Sequence, residues 1–94
     1  MIRTFKGKFA EIILRRRRIP KGFPADLAQV ARRKLVQLDN ATVLKDLSAP
    51  PGNRLEALKG AGRGMHSIRI NDQWRIVFRW TVAGPEEVEI TDYH

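Results

Sequence analysis

The spacing of apolar residues changes once along this chain, near Arg54. Before that point apolar positions recur every three or four residues, as on one side of a helix; after it they recur every second residue, as on one face of a strand. Residues 1–5 open with a short alternation, Ile2 and Thr4 against Arg3 and Phe5, which predicts a brief strand. Phe5, Phe9, Ile12 and Ile13 then follow helical spacing. This first helix runs into Arg15-Arg16-Arg17-Arg18 and should stop before Pro20, because a residue preceding proline is disfavoured in helical conformation. A second helix is clearer. Pro24 suits a first-turn position and Asp26 complements the positive end of the helix dipole. Leu27, Val30, Ala31, Leu35 and Leu38 form one apolar stripe, with Arg32, Arg33 and Lys34 off it. The helix should end near Asp39-Asn40. Leu44 and Leu47 predict a short helical turn before Pro50-Pro51-Gly52 breaks the chain.

Three period-two segments follow. In residues 64–70, His66, Ile68 and Ile70 share one face, and Met65, Ser67 and Arg69 the other. In 73–80, Trp74, Ile76, Phe78 and Trp80 oppose Arg75, Val77 and Arg79. In 87–93, Val88 and Ile90 oppose Glu89, Thr91 and Tyr93. The connections Asn71-Asp72 and Ala83-Gly84-Pro85 are short enough for antiparallel turns. Two helices followed by three or four antiparallel strands predict an α+β fold, with the helices covering the Trp74/Ile76/Phe78 face. The opposite face then carries Arg69, Arg75, Arg79 and Tyr93. Arginines and a tyrosine on one sheet face are poorly suited to a core and well suited to RNA.

Length and charge narrow the picture. Ninety-four residues make one domain, 1–94, and there is no cysteine to staple it or supply a thiolate. No apolar run approaches the roughly 20 residues that span a bilayer, and the amino terminus lacks the apolar segment of a signal peptide. A cytoplasmic protein with no membrane partner is the expectation. Eighteen Lys and Arg against ten Asp and Glu leave a net charge of +8, which draws polyanions. Nucleic acid is the leading partner class, ahead of an acidic protein or a membrane surface. The excess of arginine over lysine suits bidentate contact with phosphate.

Several residues have both a plain and a functional reading. Four adjacent arginines point all round a helix, so they are either a solvated helix end or a contact with nucleic acid or a partner. Gly60, Gly62 and Gly64 resemble a phosphate loop only loosely and lack the Gly-Lys-Ser/Thr word, so a flexible turn is the better reading. His66 shares its face with Ile68 and Ile70 and reads as a partly buried structural residue, and Trp74 and Trp80 as core. Two histidines without cysteine predict no metal site, and no cofactor is expected.

At Arg54-Leu55-Glu56-Ala57-Leu58-Lys59-Gly60 the chain resembles the "RL-H-PLKG" element of the HigB-type toxins of bacterial type II toxin–antitoxin modules, within the RelE/ParE superfamily. Ser67-Ile68-Arg69-Ile70-Asn71 followed by Trp74-Arg75-Ile76 is similar to that family's "S-I-x-x-N … W-R-I" core. Asp92-Tyr93-His94 matches its usual ending, and Ile2-Arg3-Thr4-Phe5 its usual beginning. The resemblance covers essentially the whole chain. It implies a microbial-ribonuclease-like α+β fold and a ribosome-dependent endoribonuclease that cuts translated messenger RNA in the A site. It also implies a HigA-like helix-turn-helix antitoxin encoded alongside, with operator DNA bound only indirectly, through that antitoxin.

The implied reaction needs no metal, since the attacking group is the RNA's own 2′-hydroxyl. It does need a proton acceptor, a stabiliser for the charged phosphorane and a donor for the leaving 5′-oxygen. By resemblance, Lys59, Arg75, Asp92, Tyr93 and His94 carry activity. Lys59 and Arg75 are the natural phosphate clamps, Tyr93 orients a base or helps proton transfer, and His94 is attractive because imidazole titrates near about 6.5. Arg54, Arg63, Arg69 and Arg79 join Lys59 and Arg75 as RNA contacts. Two positions depart from the family pattern. Glu56 stands where relatives often have histidine; it can serve as base, or it pairs with a nearby arginine. Asn71 stands where some relatives have arginine, and Arg69 on the same strand offers a substitute. The alternative functions are a ParE-like inhibitor of DNA gyrase and a non-catalytic RNA- or ribosome-binding module.

Overall fold

A computed structural model describes residues 1–60 and 64–92. Four strands, β1 (Glu56–Ala57), β2 (Met65–Arg69), β3 (Trp74–Thr81) and β4 (Gly84–Asp92), form one antiparallel sheet in chain order. The register sets Glu56 opposite Ser67, Arg69 opposite Arg75, and Arg75 opposite Thr91. A bulge in β3 lies between Val77 and Arg79. The turn between β2 and β3 is held by Asn71, whose Oδ1 accepts the backbone N–H of Gln73 (3.0 Å) and of Trp74 (2.7 Å). Between β3 and β4 the chain reverses at Val82-Ala83, so Gly84 and Pro85, expected in the turn, belong to the strand.

The amino-terminal segment runs parallel beside β4, with Phe5 opposite Val88. Arg3 N–H donates to the Pro85 carbonyl (2.8 Å) and Val88 N–H to that of Thr4 (3.0 Å). The expected first strand is thus present as a short edge. Its close approach requires glycine at 84: φ is +122°, and a Cβ there would lie 2.4 Å from the Met1 carbonyl oxygen.

The helices cover the predicted face. Helix α1 is one α-helical turn, Phe9–Glu11, that widens into a π-helical stretch, Ile12–Arg16. Arg17 closes it in the left-handed conformation (φ 54°), which costs a non-glycine residue about 1 kcal/mol. Pro24 is extended and precedes a 3-10 turn, Ala25–Leu27, so helix α2 spans Ala28–Asn40. Two further 3-10 turns, Leu44–Ser48 and Pro51–Asn53, lead into β1. Ile13, Leu14, Ala31, Leu35, Leu38 and Leu47 close over Ile68, Ile76, Phe78, Val88 and Ile90. Phe9, Phe23 and Trp74 pin the α1 end of this layer, with ring centroids 5.0–5.9 Å apart. Trp80 is half-buried and packs on the core, while His66 stacks on Phe78 at 6.1 Å, in its expected structural place.

Lys34 corrects the helical pattern. It was placed off the apolar stripe, but it is buried, and its Nζ donates to Asn53 Oδ1 at 2.6 Å. Asn53, fully buried, in turn donates to Gln37 Oε1 and to the carbonyls of Leu47 and Ala49. One polar side chain therefore ties α2 to both 3-10 turns. Burial, with help from Arg33 and Arg69, pushes the Lys34 ammonium below its ordinary pKa.

Candidate functional site

The sheet face away from the helices gathers three charged or polar residues from three strands. Arg75 on β3 donates through Nη1 to Ser67 Oγ on β2 (2.6 Å) and through Nη2 to Glu56 Oε1 on β1 (3.1 Å). Alternation along each strand puts all three on the same side. Ser67 is fully buried, the Arg75 side chain is 14% exposed and the Glu56 side chain 54% exposed. The site thus grades from a fixed hydroxyl through a clamped guanidinium to a carboxylate at the solvent edge. Such a guanidinium is oriented by its neighbours and presents charge to a phosphate. Glu56 is positioned both to hold it and to take a proton from a group bound beside it.

The other candidates among the described residues lie on β2, β3 and β4 or beside β1. Arg69 lies opposite Arg75 and pairs with Asp72. That contact, with a smaller pull from Arg54, holds the Asp72 carboxyl below its ordinary pKa. Arg79 pairs with Glu87 through Nε at 2.9 Å. Arg54 is exposed, and Lys59 is exposed two residues beyond β1. Asp92 ends β4, opposite Trp74 in the register, and accepts from Gln73 Nε2 at 3.1 Å. Arg63, Tyr93 and His94 lie outside the described residues. Among the described residues no cluster of three or more His, Asp or Glu could hold a metal ion, and no helix is long and apolar enough to cross a membrane.

Ser67 is the site residue that sequence reasoning missed. Its signal was available: it shares the β2 face with Arg69 and so faces the same side as Arg75. A serine among apolar and basic neighbours reads as filler until a guanidinium is seen to need its oxygen.

The four-arginine run divides by position. The Arg15 guanidinium lies 3.5 Å from Asp39 and 5.7 Å from the Phe5 ring centroid. Asp39 also accepts the Ile2 N–H (2.8 Å), so Arg15 helps fasten the amino-terminal edge to both helices. Arg17 and Arg18 instead border a cleft between α1 and α2.

Comparison with known proteins bears on this geometry. Residues 3–94 match the family described as the RelE-like toxin of the type II toxin–antitoxin system HigB. A relative from Vibrio cholerae serotype O1, named Toxin HigB-1, is 39% identical over 80 residues, covering 85% of this chain and 84% of that protein. An uncharacterized protein of Haemophilus influenzae is 35% identical over 57 residues, covering 61% of this chain and 56% of the relative.

Proposed function

Because the chain belongs to the HigB-like toxins of type II toxin–antitoxin systems, we propose that it is an endoribonuclease that cleaves translated messenger RNA on the ribosome, in the A site. The observation that carries this reading is the Glu56–Arg75–Ser67 cluster, a carboxylate beside an oriented guanidinium on the sheet's open face. The reaction is metal-independent. Glu56 takes the proton of the RNA 2′-hydroxyl, and the freed oxygen attacks the adjacent phosphorus. Arg75 and Lys59 neutralise the charge that grows on the phosphorane oxygens. The 5′-oxygen leaves with a proton supplied from the carboxy-terminal Asp92-Tyr93-His94 segment, and a 2′,3′-cyclic phosphate remains. Arg54, Arg63, Arg69 and Arg79 hold flanking phosphates. The working place is the cytoplasm, and the antitoxin is a HigA-like helix-turn-helix protein through which the pair reaches operator DNA.

The test is cleavage of a defined messenger RNA by purified protein, with and without ribosomes stalled on it. Cuts are expected only with ribosomes present. Arg75→Ala should lower the rate by roughly 100-fold or more. Glu56→Gln discriminates further, since an amide oxygen still accepts from Arg75 but takes no proton. A base at 56 predicts a loss of roughly 100-fold; near-normal cleavage would reduce Glu56 to an ion-pair partner. A folded protein that cuts neither naked nor ribosome-bound RNA would leave gyrase inhibition or plain RNA binding.

A further inference from the structure

The cleft between α1 and α2 has a composition that the catalytic reading does not use. It measures about 350 Å³ and is lined by Ile13, Ile19, Ala25 and Ala28, by Gln29, and by Arg17, Arg18 and Arg32. Ile19 is 56% exposed. A single exposed isoleucine is ordinary. This one stands beside an aliphatic hollow, together with a guanidinium whose Nε is buried and lacks a hydrogen-bond partner among the described residues, that of Arg32. A buried donor without an acceptor is costly and favours whatever brings one. None of the described lining residues is acidic.

We propose that this cleft is a docking site for the antitoxin, taking a segment that carries an aliphatic side chain flanked by carboxylates. The aliphatic side chain fills the hollow beside Ile13 and Ile19, and the carboxylates meet Arg17, Arg18 and Arg32. Aliphatic walls without an aromatic ring favour a peptide over a nucleic acid, whose bases stack on rings. Charge complementarity selects an acidic segment and speeds its capture. The conformation of Arg17 agrees with a functional side chain there. Glycine would sit at its positive φ without strain, yet the position carries a guanidinium at the cleft's edge. The proposal rests on membership of a toxin–antitoxin family and not on the nuclease reading.

Arg17→Gly makes a clean test, because it removes the charge while relieving the backbone. The variant should melt no lower than wild type, and calorimetric titration with the purified antitoxin should show affinity weakened by roughly tenfold. Ile19→Asp and Arg17→Glu should weaken it at least as much. Lys45→Glu makes the same change in net charge as Arg17→Glu, but beyond the far end of α2, roughly 20 Å away, and should alter affinity by no more than about twofold. If Arg17→Glu and Ile19→Asp bind the antitoxin as Lys45→Glu does, the cleft is not the docking site. If they keep the antitoxin but lose co-sedimentation with ribosomes, the cleft contacts ribosomal RNA and the proposal is overturned. Titration needs no catalysis, so a protein that never cuts RNA can still pass or fail it.

Discussion

Arg75 depends on Ser67 in a way that its own charge hides. A guanidinium on an open strand face can swing, and misplacing a catalytic group by about 1 Å can cost on the order of 100-fold in rate. Here one nitrogen donates to a fully buried hydroxyl at 2.6 Å and another to Glu56 at 3.1 Å. Ser67→Ala removes the buried contact and leaves the charge. On the proposed mechanism kcat should fall about tenfold while affinity for the ribosome stays the same, because long-range attraction survives and aim does not. The lost hydrogen bond should cost about 1 kcal/mol of stability, measurable in denaturant. A matched loss of ribosome affinity would instead make Ser67 part of the binding surface. At this scale the sequence was legible in part. Period-two alternation placed Arg69, Arg75 and Arg79 on the open face, while Glu56 came to notice only through the family resemblance, and no spacing rule says which carboxylate a given arginine takes. Those pairings depend on register, which alternation leaves free to slip between neighbouring strands.

Among the elements, alternation found β2, β3 and β4 and their faces but not the two-residue β1, and the 3.6-residue period found both helices, the first of which begins at Phe9 and leaves Phe5 in the edge segment. Also missed are departures from regular geometry. The first helix widens into a π-helical stretch at Ile12–Arg16, and the second is preceded by a 3-10 turn at Ala25–Leu27. Neither leaves a distinct trace in apolar spacing, because both keep the same side chains pointing roughly inward. Lys34 was misplaced for a related reason: a long amphipathic side chain can end on a buried carbonyl, which binary patterning cannot foresee. The turn after α2 carries a device open to direct test. The Asp46 carboxylate accepts from Thr42 N–H (3.0 Å), Val43 N–H (3.2 Å) and Thr42 Oγ1 (3.2 Å). The backbone hydrogen bonds hold its pKa below the ordinary 3.8. A depressed carboxyl stabilises the fold above its unfolded pKa, and that contribution is lost as pH falls through the lower, folded value. Asp46→Asn keeps an oxygen acceptor without the charge, so it should melt a few degrees below wild type at neutral pH, and the gap should close in acid. A gap that stays constant to about pH 2.5 would show that the effect is steric.

Across the whole molecule, a net charge of +8 suggests strong and salt-sensitive binding to RNA. Internal pairing reduces that expectation. Of the described arginines nominated for RNA, Arg69 is engaged by Asp72, Arg75 by Glu56 and Arg79 by Glu87, while Arg54 lends part of its field to Asp72. An arginine that already has a carboxylate exchanges one anion for another when phosphate arrives, and fewer counterions are released. Five independent phosphate contacts on single-stranded RNA would give a log–log salt slope of roughly −3.5, whereas two would give roughly −1.4. The paired geometry predicts a slope near the shallower value for a short RNA titrated between about 50 and 200 mM salt. Asp72→Asn and Glu87→Gln each release one arginine without adding a cation to the sheet face. Each should steepen the slope by up to roughly 0.7. Arg17→Gly removes a charge on the helical side and should leave the slope unchanged. A wild-type slope already near −3.5, unmoved by either carboxyl substitution, would mean that the carboxylates give way freely. The open face would then act as an unpaired basic surface, and its ion pairs would have no part in choosing what binds there.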